Sequence, residues 1–367
     1  MANKDTDNKA DLAKLRTKID SIDASIQELI SQRADVASKV AQSKQAAVTG
    51  GAFYRPEREA QVLRAVKARN NGPLKDETLI RLFREIMSAC LAQQQPLKIA
   101  YLGPQGTFSE MATYQYFGHS ICAMPVTSID SIFAEVEAGI ADFGMVPVEN
   151  STEGAVNNTL DMFLSSPLKI CGELDLPINH NLISTAVSLH DIVTVFSHRQ
   201  SLAQCRSWLK ENLPHATNIA VSSNAEAAKR AQFTEHSAAI ASESAATMYA
   251  LNILHKEIED QTDNSTRFLV IGKQILTASG KDKTSLLVAA KDQPGALFHI
   301  LKPLSECGIS MTRIESRPSK RGKWDYVFFI DVDGHKDDEN LAKALRLLQR
   351  ITTQLKVLGS YPQAIDS

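Results

Sequence analysis

Arg33 and Lys44 are the first pair of side chains in this sequence that could hold a small dianion. They lie eleven residues apart, close to three whole helical turns, so on one continuous helix they share a face roughly 16 Å apart at ~1.5 Å rise per residue. Two long cations leaning together over that span can bracket one ligand and stabilise negative charge that grows on it. Taken alone, Arg33 is equally readable as a cation snorkelling out of an apolar seam. Arg16 lies seventeen residues before Arg33, roughly 25 Å along the same helix, too far for one small ligand to touch both. An antiparallel helix from a second copy would bring its own Arg16 near Arg33, so the geometry favours a dimer with shared sites. Further along, hydroxyls and amides gather in four short stretches: Gly103 to Ser109, Glu149 to Gly154, Ser197-His198, and Thr262 to Thr266. The first is a Gly-rich turn ahead of a helix, where free N–H groups and the helix dipole favour an anion.

These residues need elements to position them. Leu12, Leu15, Ile19, Ile22, Ile26, Leu29, Val36 and Val40 repeat by threes and fours, with Arg33 in the slot the pattern reserves for an apolar residue. The repeat predicts one helix over Asp11 to Val48, ended by Gly50-Gly51. Pro56 opens a second to about Asn70, and Asp76 a third to about Gln95. Three helices without a strand cannot bury so long a seam. From Leu97 the period changes, and strands are expected at 97–102, 143–148, 192–196 and 267–271, separated by helices such as 128–138 and 200–213. The polar stretches around these strand ends fall where α/β sheets place ligands. After a polar linker at 277–283 the pattern runs strand 284–290, helix 295–306, strand 310–316, strand 324–332, helix 338–348 and a closing strand at 357–361. That order is ferredoxin-like.

Composition narrows the function classes. The 367 residues predict two or three domains, and 43% hydrophobic with 22% charged residues is a globular balance. Net charge is −2, yet residues 1–95 carry 16 Lys and Arg against 12 Asp and Glu. That local excess suits a small anion and lacks the dense basic patch of a nucleic-acid binder. No run approaches 18 apolar residues and the first fifteen are mostly polar, without the apolar stretch of a signal peptide, so no membrane association is expected and the chain reads as cytosolic. Cys90, Cys122, Cys171, Cys205 and Cys307 are far apart, and no HExxH or similar spacing occurs. No metal or cofactor is expected, and the thiols read as reduced.

Over residues 10–95, Arg16, Arg33, Lys44, Arg58, Glu59 and Gln94 resemble the motif of the all-helical chorismate mutases. The resemblance implies a three-helix intertwined dimer that rearranges chorismate to prephenate. No proton moves in that reaction, so cations and donors need only hold two carboxylates and stabilise charge on the ether oxygen. It implies that Arg33 and a partner's Arg16 hold carboxylates and that Lys44 and Gln94 address the ether oxygen. Arg58 would support the carboxylate cluster, and Glu59 would take the substrate hydroxyl. Arg55 and Cys90 depart from residues some relatives carry. A mutase-like dimerisation segment without activity is the alternative.

Over residues 97–273, GPQGTFS, VPVENSTEG, Ser197-His198 followed by Gln204-Cys205, and Thr266-Arg267-Phe268 resemble prephenate dehydratase in family order. The resemblance implies two α/β lobes like those of periplasmic binding proteins, with prephenate between them and the chain crossing near Asp175 and Thr262. It implies that Thr266 assists departure of the ring hydroxyl, either as proton source or as an electrostatic aid. Thr107, Asn150, Ser197 and Gln204 would position substrate. Arg267 is a carboxylate partner or a structural ion pair.

Gly295-Ala296-Leu297 and Glu315-Ser316-Arg317-Pro318 resemble the phenylalanine-binding ACT domain, which implies L-phenylalanine as an allosteric inhibitor; a dimerisation module that binds nothing is the other reading. The expected organisation is thus an all-α mutase at 1–95, a two-lobed α/β dehydratase at 97–276 and a ferredoxin-like ACT domain at 284–362, assembled as a homodimer or higher homo-oligomer. An amino-acid-sensing binding protein without turnover is the competing class.

Overall fold

The computed structural model describes residues 2–46, 54–261, 263–290, 293–318 and 326–365, the side chains of 2–10 and 44–46 excepted. Helix α1 runs Ala2–Ala46, followed by α2 Pro56–Arg69 and α3 Asp76–Ala92. Pro56 sits in the first turn of α2, where its missing N–H costs nothing, and Glu57 and Glu59 lie at the positive end of the helix dipole. The expected end of α1 near Val48 and Gly50-Gly51 lies outside the described residues. Among the described residues, α1 packs on its own chain from Arg33 onward, where it meets α3 and the cavity it shares with α2. Every residue from 11 to 32 is exposed, including Leu15 at 59% and Leu29 at 64%.

The next segment folds as two α/β lobes. The elements of the first are β1 Lys98–Leu102, α4 Phe108–Phe117, β2 Cys122–Val126, α5 Ile129–Ala138, β3 Phe143–Asn150, β4 Gly154–Ala155, α6 Asn157–Ser165 and β5 Lys169–Pro177. The second contains β6 Asn181–Ser184, β7 Thr194–His198, α7 Arg199–Gln204, α8 Arg206–Asn212, β8 Thr217–Val221, α9 Asn224–Phe233, β9 Ser237–Ala241, α10 Glu243–Met248 and β10 Asn252–His255. The chain then returns as β11 Ser265–Gly272 between β3 and β5 of the first sheet, whose order is β2-β1-β3-β11-β5. The second sheet runs β10-β6-β9-β7-β8. Residues 178–180 and 256–264 are therefore the two crossings between lobes. The helix expected over 200–213 is two helices, because Cys205 leaves helical geometry at φ −111° and ψ 19°.

The last unit is β12 Asp282–Ala289, α11 Ala296–Glu306, β13 Met311–Pro318, β14 Tyr326–Asp333, α12 Glu339–Ile351 and β15 Gln354–Pro362, in sheet order β13-β14-β12-β15 with every pairing antiparallel. Strand β15 lies against β5 of the first lobe. Gly359 permits this approach: a Cβ there would stand 2.2 Å from the Ile170 carbonyl oxygen. The residue 324 expected to open β14 lies outside the described residues. Among the described residues no helix is long and apolar enough to cross a membrane.

Candidate functional sites

Helices α1, α2 and α3 enclose a cavity of about 410 Å³. Arg33 on α1, Arg58 and Glu59 on α2, and Cys90 and Gln94 at the end of α3 line it, together with Tyr54 and Arg55. Gln94 Nε2 donates to the Ala37 carbonyl at 3.2 Å, tying the end of α3 to α1. Arg58 is exposed, with a guanidinium nitrogen 3.3 Å from Gln61 Oε1. Arg55 pairs with Glu57 at 2.7 Å. Arg16 stands outside the cavity on the exposed length of α1. Lys44 lies on the α1 backbone, and its side chain is outside the described ones.

Glu59 shows how the neighbouring lobe conditions this cavity. Burial raises its pKa from 4.5 to about 7, against the pull of Arg84. Arg84 Nε is 3.8 Å from Glu59, and Arg84 is held by donating to the Gln115 carbonyl on α4 at 2.8 Å. The folded chain therefore keeps a proton on Glu59 that the unfolded chain releases, so this group's contribution to stability falls as pH rises from 4.5 to about 7. Glu59→Gln is expected to remove a decline of roughly 1–3 kcal/mol between pH 5 and pH 8, measured by urea unfolding at both values. An unchanged pH dependence in the variant would assign the titration elsewhere.

The second site lies at the crossings. In the antiparallel register of β3 and β11, Asn150 stands opposite Thr266. Asn150 Oδ1 accepts the backbone N–H groups of Thr152 at 3.0 Å and Glu153 at 3.2 Å, which fixes the other end of the amide as donor. Nδ2 donates to Thr266 Oγ1 at 2.9 Å and to Asn264 Oδ1 at 3.0 Å. Asn264, thus an acceptor on that side, turns its own Nδ2 to Gln204 Oε1 at 3.3 Å. The consequence is chemical: the Thr266 oxygen accepts from Asn150, which leaves its own proton free to donate elsewhere. Asn264 is the link sequence reasoning missed, although it sits within the polar stretch that ends at Thr266; Thr262 lies outside the described residues.

Three residues expected at substrate are placed differently. Ser197 is fully buried, its hydroxyl 2.9 Å from both Asn224 Oδ1 and the Ile240 carbonyl, so it ties β7 to its neighbours inside the second lobe. Thr107 caps α4, accepting from the Glu110 N–H at 3.4 Å and donating to the Leu102 carbonyl at 3.2 Å. The Gly106 N–H of the same turn is taken by the Glu110 carboxylate at 2.6 Å. Arg267 faces away from Thr266, as alternation along β11 requires. Its guanidinium pairs with Glu173 at 2.7 Å and with Asp331 of β14 at 2.6 Å, and donates to Tyr361 Oη at 3.1 Å. Lys283 completes the cluster at 2.7 Å from Glu173. Arg267 thus joins the first lobe to the last unit. Removing one member of a buried ion cluster strands its partners, so Arg267→Met is expected to cost roughly 3 kcal/mol. Equal denaturation midpoints for variant and parent would contradict this.

In the last unit, Gly295 opens α11 at φ +80°, a left-handed conformation that strains any other residue. Leu297, beside Ala296, is 38% exposed. On β13, Arg313, Glu315 and Arg317 are half-buried while Ile314 and Ser316 are exposed. Arg313 reaches Glu149, next to Asn150, at 2.7 Å. Arg317, expected at an effector, instead engages Asn157 and, at 2.8 Å, Asp161 of α6.

Fold and sites define a chain with an arginine-lined helical cavity, a two-lobed α/β unit and a ferredoxin-like module. Family profiles agree: Chorismate mutase type II matches residues 15–95, Prephenate dehydratase 99–275 and ACT domain 284–346. The bifunctional chorismate mutase/prephenate dehydratase of Pseudomonas aeruginosa is 51% identical over 358 residues, 96% of this chain and 98% of that one. The corresponding protein of Aquifex aeolicus is 47% identical over 97% of this chain and 99% of its own. Prephenate dehydratase from Arthrobacter aurescens, solved in complex with L-Phe, superposes with a TM-score of 0.68 at 37% identity, covering 72% of this chain and 90% of that one. The chain belongs to the bifunctional chorismate mutase/prephenate dehydratase family.

Proposed function

We propose that the helical cavity converts chorismate to prephenate and that the crossing site converts prephenate to phenylpyruvate. In the first reaction Arg33 holds a carboxylate, Lys44 and Gln94 meet the ether oxygen, Arg58 supports the carboxylate cluster and Glu59 receives the substrate hydroxyl. The exposed apolar row of α1 is covered by an antiparallel α1 of a second copy, whose Arg16 completes the cavity.

The donation from Asn150 to Thr266 carries the second assignment. Carbon dioxide leaves, its bonding pair enters the ring, and aromatisation expels hydroxide, which takes up a proton as water. The Thr266 hydroxyl donates to that departing oxygen, the amide N–H of Asn150 stabilises negative charge on Thr266 as it does so, and solvent restores any proton transferred. Gln204 contributes donors to an anionic group of prephenate. L-Phenylalanine, the ligand of the Arthrobacter protein, is the inhibitor of this chain, binding where the Gly295 turn and Glu315-Ser316 of two copies meet.

The test is to give the purified chain chorismate and follow prephenate and phenylpyruvate with and without L-phenylalanine. Phenylpyruvate that forms and is suppressed by phenylalanine is expected. Persistence of chorismate would reduce the helices to a dimerisation segment, and turnover of neither substrate would favour a sensor.

A further inference from the structure

His180 occupies the first crossing between the lobes and is 1% exposed. Its surroundings come from three places. Its backbone N–H donates to Glu259 Oε2 on the return crossing at 2.8 Å. Its ring meets Phe108, at the start of α4 in the first lobe, edge-on at 5.7 Å between centroids. Its Nε2 lies 2.8 Å from Gln204 Oε1, at the end of α7 in the second lobe.

The donor and acceptor roles follow from the amide chain. Backbone N–H groups orient Asn150, Asn150 orients Asn264, and Asn264 presents N–H to Gln204 Oε1. An oxygen that accepts from Asn264 can only accept from His180, so the imidazole carries its proton on Nε2. Burial lowers the His180 pKa from the ordinary imidazole value, which favours the neutral ring. Held from two sides through its oxygen, the Gln204 amide has one orientation open to it, with Nε2 on the other side. That nitrogen and His180 Nδ1 are both buried without a hydrogen-bond partner. A buried amide donor without a partner costs free energy unless a ligand takes it up.

We infer that His180 is a positioning residue of the dehydratase site: its Nε2–H locks the Gln204 side chain so that the Gln204 Nε2–H group is presented to an anionic group of the substrate. The inference rests on the reading that Gln204 meets prephenate. It sets a pattern that a hinge residue of purely mechanical importance would not produce, because His180 acts through Gln204 alone.

Dehydratase kinetics on prephenate, with the full chain, separate the possibilities. His180→Leu removes the donor and is expected to raise KM about 10-fold or more, with kcat changed much less, since a donor to a ligand charge acts already in the bound substrate. His180→Gln, whose amide nitrogen can stand near the position of Nε2, is expected to recover most of the loss. In a Gln204→Leu background, His180→Leu is expected to add nothing, the signature of two residues acting as one unit. Thermal unfolding and mutase turnover of each variant report whether the fold is kept. Should the two substitutions instead multiply in effect, or His180→Gln fail like His180→Leu in a folded chain, His180 is a structural hinge residue and the inference is wrong. Wild-type kinetics for Gln204→Leu would overturn the substrate role of Gln204 itself, whereas an impaired Gln204→Leu beside an unimpaired His180→Leu would overturn only the role of His180.

Discussion

Thr266→Ala is expected to lower dehydratase kcat by about 10²–10³, the effect of deleting one donor aimed at charge developing in a transition state. Its KM for prephenate should move far less, because the hydroxyl proton meets the departing oxygen only as the bond breaks. The variant also strands part of the Asn150 amide, which has Thr266 Oγ1, Asn264 Oδ1 and the Ser265 carbonyl within reach of one nitrogen. With two acceptors remaining, the stability loss should stay near 1 kcal/mol. Thr266→Ser keeps the hydroxyl and should keep most of the rate. Mutase turnover in the same protein should be unchanged, since the helical cavity shares no residue with this network. Dehydration within threefold of wild type in Thr266→Ala would take the hydroxyl out of the chemistry.

Arg33→Ala is the mirror experiment. Arg33 lines the helical cavity from α1, and a guanidinium on a carboxylate supplies charge-assisted, paired hydrogen bonds that an alanine cannot replace. Mutase kcat/KM should fall on the order of 10²–10³-fold, with dehydration of added prephenate untouched. Arg33→Lys should recover only part of the loss, because an ammonium group lacks the planar fork. If Arg33 is instead a snorkelling seam residue, alanine at this position leaves mutase turnover close to normal.

Much of the architecture was legible because its signals are local. The three-four spacing of apolar residues announced α1, and Pro56 and Asp76 marked the starts of α2 and α3. The change of period at Leu97 and the β-α-β-β-α-β order after Lys283 announced the other two units. Strands such as β9 were not legible: Ser237-Ala238-Ala239-Ile240-Ala241 is mostly alanine, a helix former, and becomes a strand only because every residue of it is buried between two neighbouring strands. The same limit governs the sites. Hydroxyls, amides and cations at strand ends could be recognised as chemistry, but their partners could not. Arg267 is joined to Asp331, 64 residues away in sequence, and Ser197 to Ile240, 43 away, so tertiary pairing alone decided that both hold the fold together. His180 and Asn264 stand beside apolar strands in polar stretches that read as ordinary loop, and acquire meaning only when the lobes bring Gln204 between them.

Mixing two damaged proteins tests most directly whether the two activities reside at separate sites. Given chorismate, the Thr266→Ala protein alone should accumulate prephenate, and the Arg33→Ala protein alone should leave chorismate nearly intact. Combined in one tube, they should form phenylpyruvate after a lag, as prephenate released by the first is dehydrated by the second. A mixture that stops at prephenate, or either protein alone forming phenylpyruvate at the wild-type rate, would contradict separate sites.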